Sequence, residues 1–228
     1  LVSDSNVSYS WSFPGGNPST STLENPIVIY DTPGSYDISL TVTDAFGSDT
    51  QTFTGFIEYQ EEIKIPPHSE DFEDSLFIPE FWNIQNWDNG ISWQSISLQE
   101  GADCSPTIAA YMNNYDFNNP GAEDDLISPY FELFGTNSPM LTYDYAYARW
   151  GNGYEDGFRV EISMNCGDSW DTLYDKFGDQ LETIAPQQNP WQPVCGDWEQ
   201  VSIDLTPYAT EKVMLKFTGV NGWGNNFY

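Results

Sequence analysis

The side chains that could break or make bonds are few. The chain has one imidazole, His68, and three thiols, Cys104, Cys166 and Cys195. With one histidine there is no His-Glu-x-x-His zinc motif, and a Ser–His or Cys–His nucleophile pair has only one base to draw on, in a Pro-rich stretch. His68 is expected to be solvated. No Walker loop and no dinucleotide fingerprint occurs. Paired carboxylates can hydrolyse glycosides, but among 35 acidic residues such pairs arise by chance and no recognisable motif marks one. The expectation is a chain without catalysis of its own.

Carboxylates have a second use. Calcium takes six to eight hard oxygens, mostly from loop Asp, Glu, Asn and main-chain carbonyls. Three acidic loops qualify: Glu70-Asp71-Phe72-Glu73-Asp74, Gly101-Ala102-Asp103 and Glu123-Asp124-Asp125. The bland alternative is a solvated, solubilising surface. Of the aromatic residues, Trp150 and Trp223 stand in Gly/Asn-rich loops, with Arg149 and Tyr154 beside them in sequence. These four are the candidates for a ligand-contacting surface, while most other tryptophans are expected in the core. Three cysteine pairings are open. Cys166 and Cys195 flank one long excursion, and that disulfide is the one expected. No spacing suits zinc.

The elements that must position these residues read as strands. Aromatic residues make up 16% of the chain, with 18 Gly and 15 Pro, a composition of short strands and turns. Tyr36, Ile38, Leu40 and Val42 alternate with polar residues, as do Leu141, Tyr143, Tyr145 and Tyr147. Phe158, Val160, Ile162 and Met164 follow, then Val201, Ile203 and Leu205, then Val213, Leu215 and Phe217. This is the period of two-faced strands. Lys212 and Lys216 are expected to face outward, and only Asp179 to Thr183 hints at a helical turn. The net charge of −29 argues against nucleic acid, whose phosphates need Lys and Arg, and against anionic membranes. No apolar run is long enough to span a bilayer. The start at Leu1-Val2-Ser3 and the end at Phe227-Tyr228 read as cuts within a longer polypeptide.

Tyr9-Ser10-Trp11-Ser12-Phe13-Pro14-Gly15-Gly16, Asn25-Pro26 with Tyr30, Gly34-Ser35-Tyr36 through Val42, and Gly47-Ser48 together resemble the PKD repeat, an immunoglobulin-like module. Ser12 and Pro14 depart from the aspartates common in that family. The segment beyond resembles a MAM-like jelly roll, on Asp71-Phe72-Glu73-Asp74, Asp125-Leu126-Ile127-Ser128-Pro129, Leu141 to Tyr147, Glu155 to Ser163, Cys166 to Trp170 and Gly222 to Tyr228. Relatives of that kind usually continue with one more strand. The two resemblances imply an all-β chain, an immunoglobulin-like β-sandwich plus a jelly-roll β-sandwich. The expected boundaries are 1–58 for the first domain, 59–70 for a linker with Glu61-Glu62 and Pro66-Pro67, and 71–228 for the second, lacking its last strand.

By resemblance, a structural calcium ion would be held by Glu73 and Asp103, with Asp71 and Asp125 as further ligands. Both modules recur beside secreted bacterial zinc metalloproteases of the pappalysin/cytophagalysin type, exported by a type IX system. The resemblance therefore implies a non-catalytic accessory region of a secreted or cell-surface protein, covalently joined to further domains. Its partner would be an extracellular protein or polysaccharide. The alternative is a cell-surface adhesin or carbohydrate-binding module.

Overall fold

The computed structural model describes residues 7–32, 34–59, 62–73 and 77–228. Expectations placed on Leu1-Val2-Ser3, Glu61 and Asp74 lie outside the described residues. The architecture is all-β, with 3₁₀ turns at Gly178–Gln180 and Thr206–Tyr208. The chain divides into two compact units, residues 1–61 and 62–228.

The first unit holds a four-stranded antiparallel sheet. β1 (Ser8–Ser12), β2 (Thr20–Ser21), β3 (Gly34–Asp44) and β4 (Gly47–Tyr59) lie in the order β2-β1-β3-β4. The alternating run Tyr36 to Val42 forms β3, and Ala45-Phe46 turns the chain into β4. Ile27 to Tyr30 has the apolar, β-branched composition of a strand but makes only an isolated bridge, Asn17 to Ile29. Gly15, at φ +83°, passes so close to the Tyr36 ring that a Cβ would lie 2.4 Å from it. This is why the turn after Phe13 needs glycine. Phe13 is the one buried apolar side chain of this unit among the described residues, a thin core for a small domain.

The second unit begins at Glu62. β5 (Ile63–Lys64) pairs in parallel with β10 (Tyr130–Glu132). Part of the expected linker is therefore a strand, because Ile63 and Lys64 find an open edge to satisfy their main-chain groups. His68 is exposed, with its ring 5.6 Å from that of Phe131.

The main sheet is centred on β15 (Lys212–Val220). One side of β15 pairs with β12 (Gly157–Ser163), which pairs onward with β13 (Asp171–Phe177). The other side pairs with β10 and with β9 (Glu123–Ile127), and β6 (Asn83–Asn86) lies outside β9. Two ribbons complete the unit: β7 (Gln94–Leu98) with β8 (Thr107–Tyr111), and β11 (Met140–Tyr145) with β14 (Glu199–Asp204). The carboxyl-terminal pair joins them. Phe227 exchanges main-chain hydrogen bonds with Met112 at 2.9 and 3.2 Å, and Tyr228 does so with Ala146 at 2.9 and 3.1 Å.

The core is aromatic. Trp93, Met112, Tyr145, Tyr147, Phe158 and Phe227 cluster with Leu126 and Val160, and the Phe158 and Phe227 rings stack at 4.5 Å. The alternating residues Leu141, Tyr143 and Tyr145 face this core, as their period requires. Met164 ends outside β12 and is exposed. Lys216 is half-buried rather than fully outward, because Glu161 meets its ammonium at 2.8 Å and the Trp170 ring lies under it. Lys212 packs over the Tyr130 ring.

The expected Cys166–Cys195 disulfide does not form. Cys104 pairs with Cys195 across 91 residues, with Cα atoms 4.7 Å apart, and Cys166 is an exposed free thiol. Spacing in sequence does not determine which cysteines meet. Cys166 sits in the tight β12–β13 turn, closed by Asp168 N–H to the Asn165 carbonyl, while the loop after β7 and the loop before β14 come together. The Glu100 carboxylate, in the first of these loops, accepts the Cys195 N–H at 2.7 Å.

Candidate functional site

Asp156 organises one end of the second unit. It is completely buried. One carboxylate oxygen accepts the Gly222 and Gly224 N–H groups at 2.8 and 3.3 Å. The other accepts the Asn225 N–H at 2.9 Å and the Tyr147 hydroxyl at 2.8 Å. Burial pushes the Asp156 carboxyl up from its ordinary value, and these hydrogen bonds oppose the rise. Burial and the neighbouring Asp156 charge likewise raise the Tyr147 hydroxyl. A Cβ on Gly224 would lie 2.1 Å from the Asp156 carboxylate, and one on Gly222 would lie 2.3 Å from the Glu155 main chain. Glycine at 222 and 224 thus leaves the room in which the Gly222, Gly224 and Asn225 N–H groups close on the carboxylate.

That wrapping displays Trp223. Its φ is +54°, a left-handed conformation uncommon for a bulky residue, and its N–H donates to the Asn221 side chain at 2.6 Å. Its side chain is 42% exposed. Tyr154 packs edge-on against Trp223 at 6.0 Å and against Trp150 at 6.2 Å, and Trp150 meets Tyr115 at 5.6 Å. Three of the four residues singled out from the sequence therefore form one aromatic row. The fourth does not join it: the Arg149 Nε is committed to Glu182 at 2.7 Å, and that hydrogen bond raises the guanidinium further.

Two members went unnoticed in the sequence. Tyr115 extends the row. Trp87, 73% exposed, stands on the loop between β6 and β7. That loop is tied to residues 113–121 by Asn119 Nδ2 to the Asp88 carboxylate at 2.5 Å. Residues 113–121 are tied to the Trp223 turn by Asn221 Nδ2 to the Phe117 carbonyl at 3.0 Å. All three loops thus share one end of the unit. Nothing local distinguishes Trp87 from a core tryptophan except the Asp88-Asn89-Gly90 turn after it.

The four expected calcium ligands are not gathered. Glu73 accepts the Thr107 hydroxyl at 2.8 Å and the Ile108 N–H at 2.7 Å, clamping the start of β8. Asp103 accepts the Ser105 N–H, and Asp71 the Glu73 N–H, each within its own loop. Asp125 accepts the Thr218 hydroxyl at 2.6 Å inside the main sheet. Among the described residues no group of three Asp, Glu, His or Cys side chains is poised for a metal. Each of the four carboxylates is engaged by a different hydrogen-bond partner.

A groove of about 470 Å³ opens between the main sheet and the two ribbons, where Trp82, Trp93, Tyr143 and Phe217 reach its wall. Its lining also carries polar residues, His68, Glu70, Asp71, Thr107 and Asp144.

Residues 1–55 match the PKD domain family. This is the first unit, and β1, β3 and β4 fall on the strands of the resembled pattern. No curated protein matches the chain. Among solved structures, a study of carbohydrate-binding modules of the β-sandwich superfamily supplies one likeness. It is 15% identical at a TM-score of 0.42, over 99% of this chain and 84% of that one. The K1 cleaved adhesin domain of Lys-gingipain from Porphyromonas gingivalis W83 is 19% identical at a TM-score of 0.45, over 67% and 92%. The CBM27-1 module of Caldicellulosiruptor saccharolyticus, solved with mannohexaose, is 15% identical at 0.40, over 69% and 90%.

Proposed function

We propose that the chain is a non-catalytic binding region of a larger secreted or cell-surface protein. Its second unit docks on an extracellular polymer through the row Trp223, Tyr154 and Trp150. The observation that carries this reading is the Trp223 turn: a buried carboxylate, three main-chain N–H groups and two obligatory glycines are spent on presenting one indole to solvent. Rigid display of this kind lowers the entropy lost on binding. Aromatic faces stack on sugar rings and on apolar peptide segments alike. A charge of −29 repels anionic polymers, so a neutral polysaccharide is the ligand to test first. The sequence resemblance makes a secreted zinc metalloprotease the parent to look for, with this region holding it to its substrate. Among the described residues no helix is long and apolar enough to cross a membrane.

The test is retention of the 228-residue chain on cellulose, chitin, mannan, alginate and insoluble collagen. The expected result is retention on a neutral polysaccharide that Trp223→Ala abolishes without lowering the melting temperature. Retention on collagen alone would turn the reading to a protein ligand. Retention that ignores Trp223 and Trp150 would move the site elsewhere on the unit.

A further inference from the structure

A second polar cluster lies beneath the Trp87 loop, and neither the aromatic row nor the groove uses it. Asp124, on β9, is 1% exposed, and the Ser92 hydroxyl is the one side-chain hydrogen bond acting on its otherwise unpartnered carboxylate. Its register partner on β6 is Asn86. Residues directly opposed in an antiparallel pair put their side chains on the same face. Asn86 donates its amide to the Gly90 carbonyl at 2.9 Å, which leaves its side-chain oxygen buried and unpartnered. Ser92 turns its hydroxyl proton to Asp124 and leaves its oxygen lone pairs buried without a donor. The charges acting on Asp124 from nearby are those of Asp88 and Asp125, both negative. In the adjoining loop Asn114 is likewise 1% exposed, with both amide atoms unpartnered.

Buried polar atoms normally have partners, and each exception calls for an ion or water that satisfies it. Apart from the Ser92 proton, this cluster presents only oxygens: the Asp124 carboxylate, the Asn86 amide oxygen and the Ser92 hydroxyl oxygen. Water can donate only two protons, whereas a cation accepts every lone pair presented to it. Carboxylate, amide oxygen and hydroxyl are the hard donors that calcium prefers.

We propose that Asp124, Asn86 and Ser92 hold a hard divalent cation of the calcium type, which ties the Trp87 loop to β9. This site is separate from the residues 71, 73, 103 and 125 expected from the sequence, and it does not depend on what the aromatic row binds. The cation would neutralise a carboxylate that no described basic side chain reaches. It would also pin both ends of the loop, through Asn86 at one side and Ser92 at the other.

Trp93 supplies the reporter. Its indole N–H donates to the Asp124 carbonyl at 2.9 Å, so terbium in this site would be excited through the neighbouring ring. The 228-residue chain is titrated with Tb³⁺ under 280 nm excitation, with Ca²⁺ as competitor. The expected result is sensitised green emission that Ca²⁺ displaces, that Asp124→Asn abolishes and that Ser92→Ala weakens. Circular dichroism confirms that both variants fold. Calcium at a hundred-fold excess over its dissociation constant raises the melting temperature by about 5–10 °C in the parent chain and not in Asp124→Asn. Absence of emission would leave the orphan oxygens to water and overturn the proposal. So would emission that survives Asp124→Asn but disappears in Glu73→Gln, because the ion would then sit at the other loop.

Discussion

The Tyr147 hydroxyl donates to the Asp156 carboxylate at 2.8 Å, and both residues are fully buried. Tyr147 sits just beyond β11 and Asp156 just before β12, so the bond closes the excursion that carries Trp150 and Tyr154. Removing the carboxylate leaves three main-chain N–H groups and one hydroxyl without acceptors. Asp156→Ala is expected to destabilise the second unit by on the order of 3–5 kcal/mol. Tyr147→Phe removes one donor of four and should cost about 1–2 kcal/mol. Urea melts of both variants check the order; equal losses would show that the hydroxyl, not the main chain, holds the turn.

Gly224→Ala tests the same wrapping from the other side. Its Cβ would stand 2.1 Å from the Asp156 carboxylate, so the turn must open. The expected outcome is a loss of polymer retention of at least about tenfold, as for a central aromatic contact. Retention is measured on whichever polymer the parent chain binds. A variant that binds unchanged would show that the Trp223 turn tolerates a different path.

The stability of the chelated protein should depend on pH through Asp124. Burial raises its carboxyl from 3.8 to about 6, with Asp88 and Asp125 adding to the rise and Ser92 opposing it. The folded state therefore binds this proton more tightly than the unfolded state. Stability is greatest below about pH 4 for this group and falls as pH rises to about 6, by on the order of 3 kcal/mol. Melting curves of the parent and Asp124→Asn in EDTA, compared from pH 4 to 7, isolate the effect. The difference between them should narrow toward the acid end; parallel curves would mean that Asp124 titrates normally.

The Cys104–Cys195 bond closes 91 residues of chain. Replacing both by serine should cost about 2–5 kcal/mol, while Cys166→Ser should be neutral within about 0.5 kcal/mol. Peptide mapping under non-reducing conditions checks the pairing directly. A Cys166–Cys195 peptide would contradict the fold around both loops.

Glu73→Gln should loosen β8. The Glu73 carboxylate accepts both the Thr107 hydroxyl and the Ile108 N–H, and hydrogen bonds to a charged acceptor contribute about 1.5–3 kcal/mol. Faster amide exchange at Ile108 reads the change; unchanged exchange would mean that the β7–β8 ribbon needs no clamp.

The strands were legible wherever one face meets a core and the other water. The alternation at Tyr36 to Val42 and at Leu141 to Tyr147 became β3 and β11 because burial enforces period two. Ile27 to Tyr30 has the composition of a strand, but only Ile29 finds a ladder partner, Asn17. Ile63 and Lys64 look like linker and are strand for the opposite reason: an edge at Tyr130 is available to them. The row Trp150, Tyr154 and Trp223 was readable because Gly and Asn flank the indoles. The disulfide and the exposure of Trp87 were not; Asp124 stood in one of the acidic runs offered for calcium, but its company of Asn86 and Ser92 depends on the pairing of β6 with β9.

The hydrogen bonds of Phe227 and Tyr228 have a practical corollary. These two residues form a seam, one side stitched at Met112 and the other at Ala146. A substitution that removes the Tyr228 main-chain N–H, such as Tyr228→Pro, deletes its bond to Ala146 and unpicks one side of that seam. Labelling through the single free thiol, in the tight turn at Cys166, leaves it intact.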